Sequence, residues 1–264
     1  MVKKFECKMC GNCCRNMRGR TERKSPVYPP YWFSAVPLLE KTLLLLEWEI
    51  PVLQERARQL SIELKVVPDD MIWDDVSNVP IVLQWNLDHN DCPFLSENNH
   101  CLVNENKPLC CQAYPLMSFG MLKDLDVPDV PKNIVFMDCP NIVPIAQLAE
   151  GKMMRVRSST IFKRLFQSYG SAFIGMLRLD AAVMFYSECL KDLVKEWIVY
   201  PGIIDEKVMK SLLEEKPVGL LEHLKRKAPN KAKELEKSIR EIYDFDSTTL
   251  AEIIAQGTRK LHES

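Results

Sequence analysis

Glycine is scarce in this chain: 9 of 264 residues, and no two of them form a G-x-G pair. Without that pair there is no dinucleotide fingerprint and no Rossmann-type nucleotide loop, because both need glycine where backbone meets phosphate. G-K-[ST] and H-E-x-x-H are missing too, which removes the P-loop and the zinc-protease helix. So is the C-x3-C-x2-C spacing tied to radical use of S-adenosylmethionine. Any enzymatic chemistry has to run through bound metal.

Net charge is nearly absent. Lys plus Arg number 35 against 36 for Asp plus Glu, a net −1, so no whole-molecule field recommends nucleic acid or an acidic membrane. Long apolar runs are lacking as well: residues 43–46 and 181–186 are the greasiest, and both are short and bounded by Glu47, Arg178, Asp180 and Glu188. No transmembrane helix is expected from such segments. The opening M-V-K-K-F-E-C has no apolar h-region, so no secretory signal is read and a cytoplasmic location is expected. The 47% of hydrophobic residues suffices for a real core, in one large domain or two modest ones.

What the chain does have is ten cysteines. In a reducing compartment they argue for metal or redox chemistry and against a disulfide framework. Residues 5–15 read F-E-C-K-M-C-G-N-C-C-R and hold Cys7, Cys10, Cys13 and Cys14. Two residues between successive cysteines let the backbone curl around an ion with several sulfurs inward, the habit of zinc and iron–sulfur sites. Gly11 suits that curl, because it can take φ > 0. Around the run lie Lys3, Lys4, Lys8, Arg15, Arg18, Arg20, Arg23 and Lys24, opposed by Glu6 and Glu22. Positive charge nearby favours the thiolate that metals need, although such a run also serves as plain solvated surface.

Beyond the cluster, residues 17–31 read as a basic, then Pro- and aromatic-rich connector. Ser34 is placed to cap a helix through Leu38, Leu39, Thr42, Leu45 and Leu46, with Pro51 splitting it from a second helix through Leu53, Ala57, Leu60 and Leu64. From Val66 to Leu87 short strands are expected, the best at Ile81, Val82 and Leu83, with Pro68 and Pro80 as punctuation. Glu97, Asn98, Asn99 and His100 look like a hairpin turn that delivers Cys92 on one side and Cys101 on the other. A further strand is expected at 133–137, ending on Asp138-Cys139-Pro140.

From about Ile145 the periodicity turns helical. Ile161, Leu165, Phe166, Phe173, Met176, Leu177, Ala181, Met184, Phe185, Leu190, Leu193, Val194 and Trp197 keep the spacing of buried helix faces. Pro201-Gly202 ends that segment, and shorter helices are expected at 205–215, 218–226, 230–243 and 248–261. The fold class expected is α+β, predominantly helical. An irregular cysteine-rich module with a small β element would occupy 1–150, carrying a helical insertion at about 34–64, and a helical bundle 151–264.

Four sulfurs in C-x2-C-x2-C-C do not close easily on one small ion, because adjacent Cys13 and Cys14 tend to point apart. One of them is expected to serve elsewhere, with Cys92, Cys101, Cys110, Cys111 and Cys139 available to complete a count of about four per site. Spacing alone leaves that assignment open. Cys189 has no cysteine near it in sequence and reads as core. His100 is a weak substitute ligand, while His89, His223 and His262 read as surface. Asp91 and Asp138, each before a Cys-Pro, read as turn caps.

The run F-E-C-K-M-C-G-N-C-C-R, followed downstream by C-P-F-L, Cys101 and P-L-C-C-Q-A-Y-P, resembles the CxxCxxCC cysteine-cluster family of zinc- or iron-chelating proteins, the YkgJ-type proteins among them. The likeness spans roughly residues 5–140. In that family a Pro is followed after two residues by Cys, then usually Arg, then an aromatic and Pro. Here Pro108 places the family cysteine at Cys111 and the aromatic-Pro at Tyr114-Pro115, with Cys110 as an extra and Gln112 where Arg is usual. The resemblance implies metal ligation by Cys7, Cys10, Cys13, Cys14, Cys92, Cys101, Cys111 and Cys139, and eight sulfurs suit two four-ligand centres. Flagellin lysine methylases carry a similar cluster, which implies S-adenosylmethionine-dependent methyl transfer to protein lysines as one activity.

The expectation is therefore a metal-binding protein, with an iron–sulfur cluster, [4Fe–4S] foremost, ahead of zinc. C-x2-C-x2-C with a detached Cys-Pro resembles ferredoxin ligation, whereas zinc knuckles normally pair one C-x2-C with another. Three classes of function stay open: a redox or electron-transfer module, a cluster-dependent enzyme such as a protein methyltransferase, and a structural zinc protein whose helical half recruits a protein partner.

Overall fold

The computed structural model describes residues 4–15, 17, 32–34, 43–68, 70–116, 139–143, 166–202 and 216–244. The expected strand at 133–137, the helices at 205–215 and 248–261, most of the connector at 17–31, and Asp138, Ile161, Leu165 and His262 lie outside them. Two compact units emerge. One comprises Cys13–Asn106 and Glu188–Glu236, the other Met1–Asn12, Lys107–Ser187 and Lys237–Ser264. All seven strands among the described residues fall in the first, hereafter the sheet unit; the second is the helix unit. The fold is α+β, a mixture of helix and small sheets. Among the described residues no helix is long and apolar enough to cross a membrane.

In the sheet unit, β1 (Trp32–Ser34), β4 (Asp70–Asp74), β5 (Val79–Val82) and β7 (Val218–Gly219) form one sheet in the order β1-β4-β5-β7, antiparallel except for the β5–β7 pair. A second, antiparallel sheet orders β2 (Leu44–Leu45), β6 (Trp85–Leu87) and β3 (Val66–Pro68) as β2-β6-β3. Strands were expected over 66–87 and are there, with Pro80 inside β5 rather than outside it.

Of the two expected N-terminal helices the second forms, while the first is corrected at Ser34 and Leu45; Leu38, Leu39 and Thr42 lie outside the described residues. Ser34 ends β1 instead of capping a helix, Leu45 pairs with Trp85 in a sheet, and helix α1 runs Ile50–Gln59 with Pro51 in its first turn. Pro is at home there, since the first helical N–H groups have no intrahelical partner to lose. Leu53 and Ala57 of α1, with Leu45, Leu87, Phe94 and Val103, form an apolar core cluster against which Cys92 and Cys101 pack.

The turn after β4 is organised by Asp74, which is fully buried. Its carboxylate accepts from the Val76, Ser77 and Tyr200 N–H groups (3.3, 3.1 and 2.8 Å) and from the Ser77 hydroxyl. Tyr200 lies just past helix α3 (Ser171–Lys195). That helix ends in a Schellman arrangement: Ile198 N donates to Leu193 O (2.9 Å) and Trp197 N to Val194 O (3.2 Å), with Trp197 at φ +57° where glycine is usual. Trp197 therefore leaves the buried face expected of it; it is 69% exposed and stacks on Tyr200, ring centroids 5.1 Å apart.

Helix α4 (Leu220–Lys227) starts two residues later than expected, because Val218 and Gly219 are taken by β7. Its first turn is capped from far away in sequence: Leu221 N and Glu222 N donate to the Glu47 carboxylate at 2.7 and 2.9 Å. Gly219 leaves room for that carboxylate, which a Cβ would strike. α5 (Pro229–Asp244) agrees closely with the expected 230–243.

His223 of α4 was read as surface and is buried, its Nε2 at 3.8 Å from Asp74 Oδ2. Burial pushes its pKa below the usual 6.5; Asp74 opposes the shift, and Lys227 and Arg226 reinforce it. The unfolded chain thus takes up a proton near pH 6.5 before the folded chain does, so stability is full above that pH and falls as pH drops below it. Between about pH 7 and about pH 5.5 the melting temperature should fall more steeply for the native chain than for His223→Gln. Parallel curves would show that His223 does not titrate against folding.

Candidate metal centre

All ten cysteines are described, and none is in a disulfide. Residues 12–14 form a single 3-10 turn, entered through Gly11 at φ +77°, the positive value anticipated for it. Inside the sheet unit this turn runs beside the Cys92 loop. Cys92 N donates to Cys14 O (2.7 Å) and Met17 N to Asn90 O (2.6 Å), an antiparallel pairing of two short segments. Arg15 adds a side-chain clip: Nη2 donates to Asn99 Oδ1 at 2.6 Å and Nη1 lies 3.8 Å from Asp91 Oδ2. Asp91 thus acts as an ion-pair partner rather than only a turn cap.

The Asn-rich turn forms as expected. Leu95 and Cys101 pair in an isolated antiparallel bridge, Leu102 N donates to Phe94 O at 2.9 Å, and Asn99 takes φ +63° at the tip. Phe94, almost without exposure, anchors the hairpin in the apolar cluster and holds Cys92 and Cys101 half-buried beside it. Cys13, Cys14, Cys92 and Cys101 all belong to the sheet unit.

In the helix unit, three cysteine-bearing segments meet the start of one helical stretch. Phe5, two residues before Cys7, donates its N–H to Ser168 O (2.6 Å), and its ring lies on Tyr169 with centroids 5.5 Å apart. Tyr169 is buried and donates to Val143 O (2.8 Å), four residues after Cys139. Burial pushes the Tyr169 hydroxyl pKa upward, and the Cys139 thiol is close enough to add to that rise. Six residues on, α3 carries Gly175 against helix α2 (Leu109–Ala113), the helix of Cys110 and Cys111. A Cβ at Gly175 would lie 2.5 Å from the Gln112 carbonyl carbon, so only glycine admits this approach. Ser168 and Tyr169 stand just ahead of α3, which begins at Ser171 after Gly170 at φ +47°. Cys7, Cys10, Cys110, Cys111 and Cys139 all belong to this unit, with Cys7 and Cys10 exposed and Cys139 buried.

Adjacent cysteines do not point apart. Cys13 Sγ lies 3.6 Å from Cys14 Sγ, and Cys110 Sγ 4.0 Å from Cys111 Sγ. Two thiolates on one tetrahedral ion, at Zn–S distances of about 2.3 Å, are separated by about 3.8 Å. Both pairs match that edge. Among the described residues, however, no three His, Cys, Asp or Glu side chains close on a point that would hold a metal ion. The donor chemistry fits zinc or iron, and the sulfurs are assembled as far as pairs.

Gln112, standing where the resembled family has Arg, donates Nε2 to Lys107 O (2.7 Å) and so closes the turn that leads into α2. His100 is exposed in the loop, its N–H bonded to Ser96 Oγ, and His89 Nε2 accepts from Lys65 N at 2.9 Å. Cys189 is half-buried, and burial raises its thiol pKa to about 11, which keeps it protonated and a poor ligand at neutral pH. Cys189→Ala is therefore expected to leave metal content unchanged, measured per chain by elemental analysis.

Gly175, Glu47 and Asp74 escaped the sequence reading. A lone glycine within an apolar helical pattern was the one available signal for the first; the donors to Glu47 lie more than a hundred residues away, and for Asp74 the signal was local, a carboxylate two and three residues before Val76 and Ser77, with only Tyr200 distant.

No curated protein and no solved structure matches the chain. One family model matches residues 6–132, a span that includes every cysteine named above except Cys139 and Cys189. Over residues 6–132 the chain is thus similar to the CxxCxxCC family, whose model is described as a putative zinc- or iron-chelating domain.

Proposed function

We propose that this protein binds metal through cysteine thiolates, as an iron–sulfur protein ahead of a zinc protein. The observation that carries the binding is the spacing of the Cys13 and Cys14 sulfurs, 3.6 Å, near the edge length of tetrahedral thiolate coordination. Cys7, Cys10, Cys13, Cys14, Cys92, Cys101, Cys111 and Cys139 would hold the metal, with Cys110 next to Cys111. C-x2-C-x2-C and the detached Cys139-Pro140 support iron–sulfur ligation. A bound cluster would supply one-electron transfer.

The close Cys13–Cys14 pair favours two thiolates on one metal atom. That is the arrangement at zinc and at each iron of a four-cysteine [2Fe–2S] centre; a four-cysteine [4Fe–4S] centre uses one thiolate per iron. Zinc is the second reading on this ground, and as a structural staple it would couple metal binding to folding.

Protein purified without oxygen should carry iron with stoichiometric acid-labile sulfide and absorb broadly near about 400 nm. Colourless protein with zinc would replace the iron–sulfur reading by the structural one. Protein with neither metal, and unable to take either up when reconstituted, would end the proposal.

A further inference from the structure

We infer that the loop after α3 and the β4–β5 turn carry a docking site for a basic peptide segment of a partner protein, with Trp197 and Asp75 as its main contacts. The inference is independent of the metal-binding reading.

Three of the large apolar side chains left exposed among the described residues meet in one place within the sheet unit: Val76 (55%), Trp197 (69%) and Tyr200 (43%). Their backbones are tied through one buried atom, since Asp74 Oδ1 accepts from both Val76 N and Tyr200 N. Bonds from Ile198 N to Leu193 O, from Asp75 N to Tyr200 O and from Gly202 N to Trp73 O fix the loop on either side. Val199, between the two aromatics in sequence, is wholly buried and anchors them. The pair is thus held rigid, and little freedom would be lost when a partner binds.

Trp197 serves the fold poorly. Its φ of +57° is one that suits glycine, and its ring buries little. Tyr200 stacks on one side of the indole with an interplanar angle of 2°, and the exposure that remains leaves the other face open.

Charge selects what covers that face. Asp75 is exposed, its carboxylate lies against Gly202 where a Cβ would strike it, and it takes part in no side-chain hydrogen bond or ion pair among the described residues. A planar guanidinium stacks on an indole face and pairs with a carboxylate, so arginine satisfies both groups. Nucleic acid or an anionic lipid surface would bring phosphate to Asp75, and a second copy of this chain in a two-fold contact would bring another Asp75. Lys231 is already held by Glu196 at 2.8 Å. Lys195, exposed at the end of α3, opposes a cationic guest, so Lys195→Gln should bind one at least as tightly as native protein.

The test adds a capped Gly-Arg-Gly-Arg-Gly peptide to the full chain and follows the Trp197 indole N–H by heteronuclear NMR, the signal being assigned by its absence in Trp197→Phe. It should shift saturably, and Asp75→Asn should weaken the binding about two- to five-fold, the size of an exposed cation–π or ion-pair contact. Trp197→Gly, followed at the backbone amides of Val76 and Tyr200, should weaken it at least as much while melting no lower than native, because glycine is at ease at that φ. An equal shift with a capped Gly-Leu-Gly-Leu-Gly or Gly-Glu-Gly-Glu-Gly peptide would overturn the basic partner, as would no shift at millimolar arginine peptide. A Trp197→Gly variant that binds as native does and melts lower would show that the indole serves the fold alone.

Discussion

Asp74→Ala is expected to lower the melting temperature of this protein by about 6–12 °C, corresponding to about 3 kcal/mol for a chain of this size. The carboxylate has no exposure and serves four donors, three of them backbone N–H groups at Val76, Ser77 and Tyr200. Deleting it leaves buried donors without an acceptor, and the cost of such orphans exceeds the net worth of the bonds themselves. It also removes the tie between the β4–β5 turn and the chain beyond α3, where Asp75 N donates to Tyr200 O and Gly202 N to Trp73 O. Asp74→Asn, which keeps one carbonyl oxygen as acceptor, should fall between alanine and the native residue. Thermal unfolding by circular dichroism decides the matter; an alanine variant within about 2 °C of native would mean that water replaces the carboxylate at little cost.

Gly175→Ala should destabilise the protein by about 1–3 kcal/mol, opposite in sign to the usual effect of that exchange within a helix. Helix propensity alone favours alanine by about 1 kcal/mol. Here the added methyl would meet the Gln112 carbonyl carbon at 2.5 Å and its oxygen at 2.6 Å, which is backbone and cannot swing aside. α2 has to move off α3, and Cys110 and Cys111 go with it. If Cys111 holds metal, the same variant should load less of it than native protein does. A higher melting temperature with full metal loading would show that α2 can shift without cost.

Much of the site was legible from spacing, because the physics is local. Two residues between cysteines is a property of the chain, and so are the curl at Gly11 and the Asn-rich turn that sets Cys101 opposite Leu95. The misreadings share one cause. Leu38, Leu39, Leu45 and Leu46 have helical spacing, yet Leu45 is claimed by Trp85 across a sheet; apolar periodicity in a short run does not separate a buried strand from a helix. Trp197 fits the apolar stripe of α3 and is exposed because the helix ends two residues before it. His223 looked like surface, being polar beside a run of Lys and Arg, and it is buried next to Asp74, which no pattern links to it.

Cysteine number and spacing in the amino-acid sequence point to metal chemistry, and the sequence holds no G-x-G or G-K-[ST] loop. Which sulfurs lie next to each other is visible only in the tertiary structure, and there as the pairs Cys13–Cys14 and Cys110–Cys111. The reason is that a metal site counts distances in space: Cys14 meets Cys92 through one backbone bond, and the segments of Cys7, Cys111 and Cys139 meet residues 168–175, across separations in sequence that no spacing rule spans.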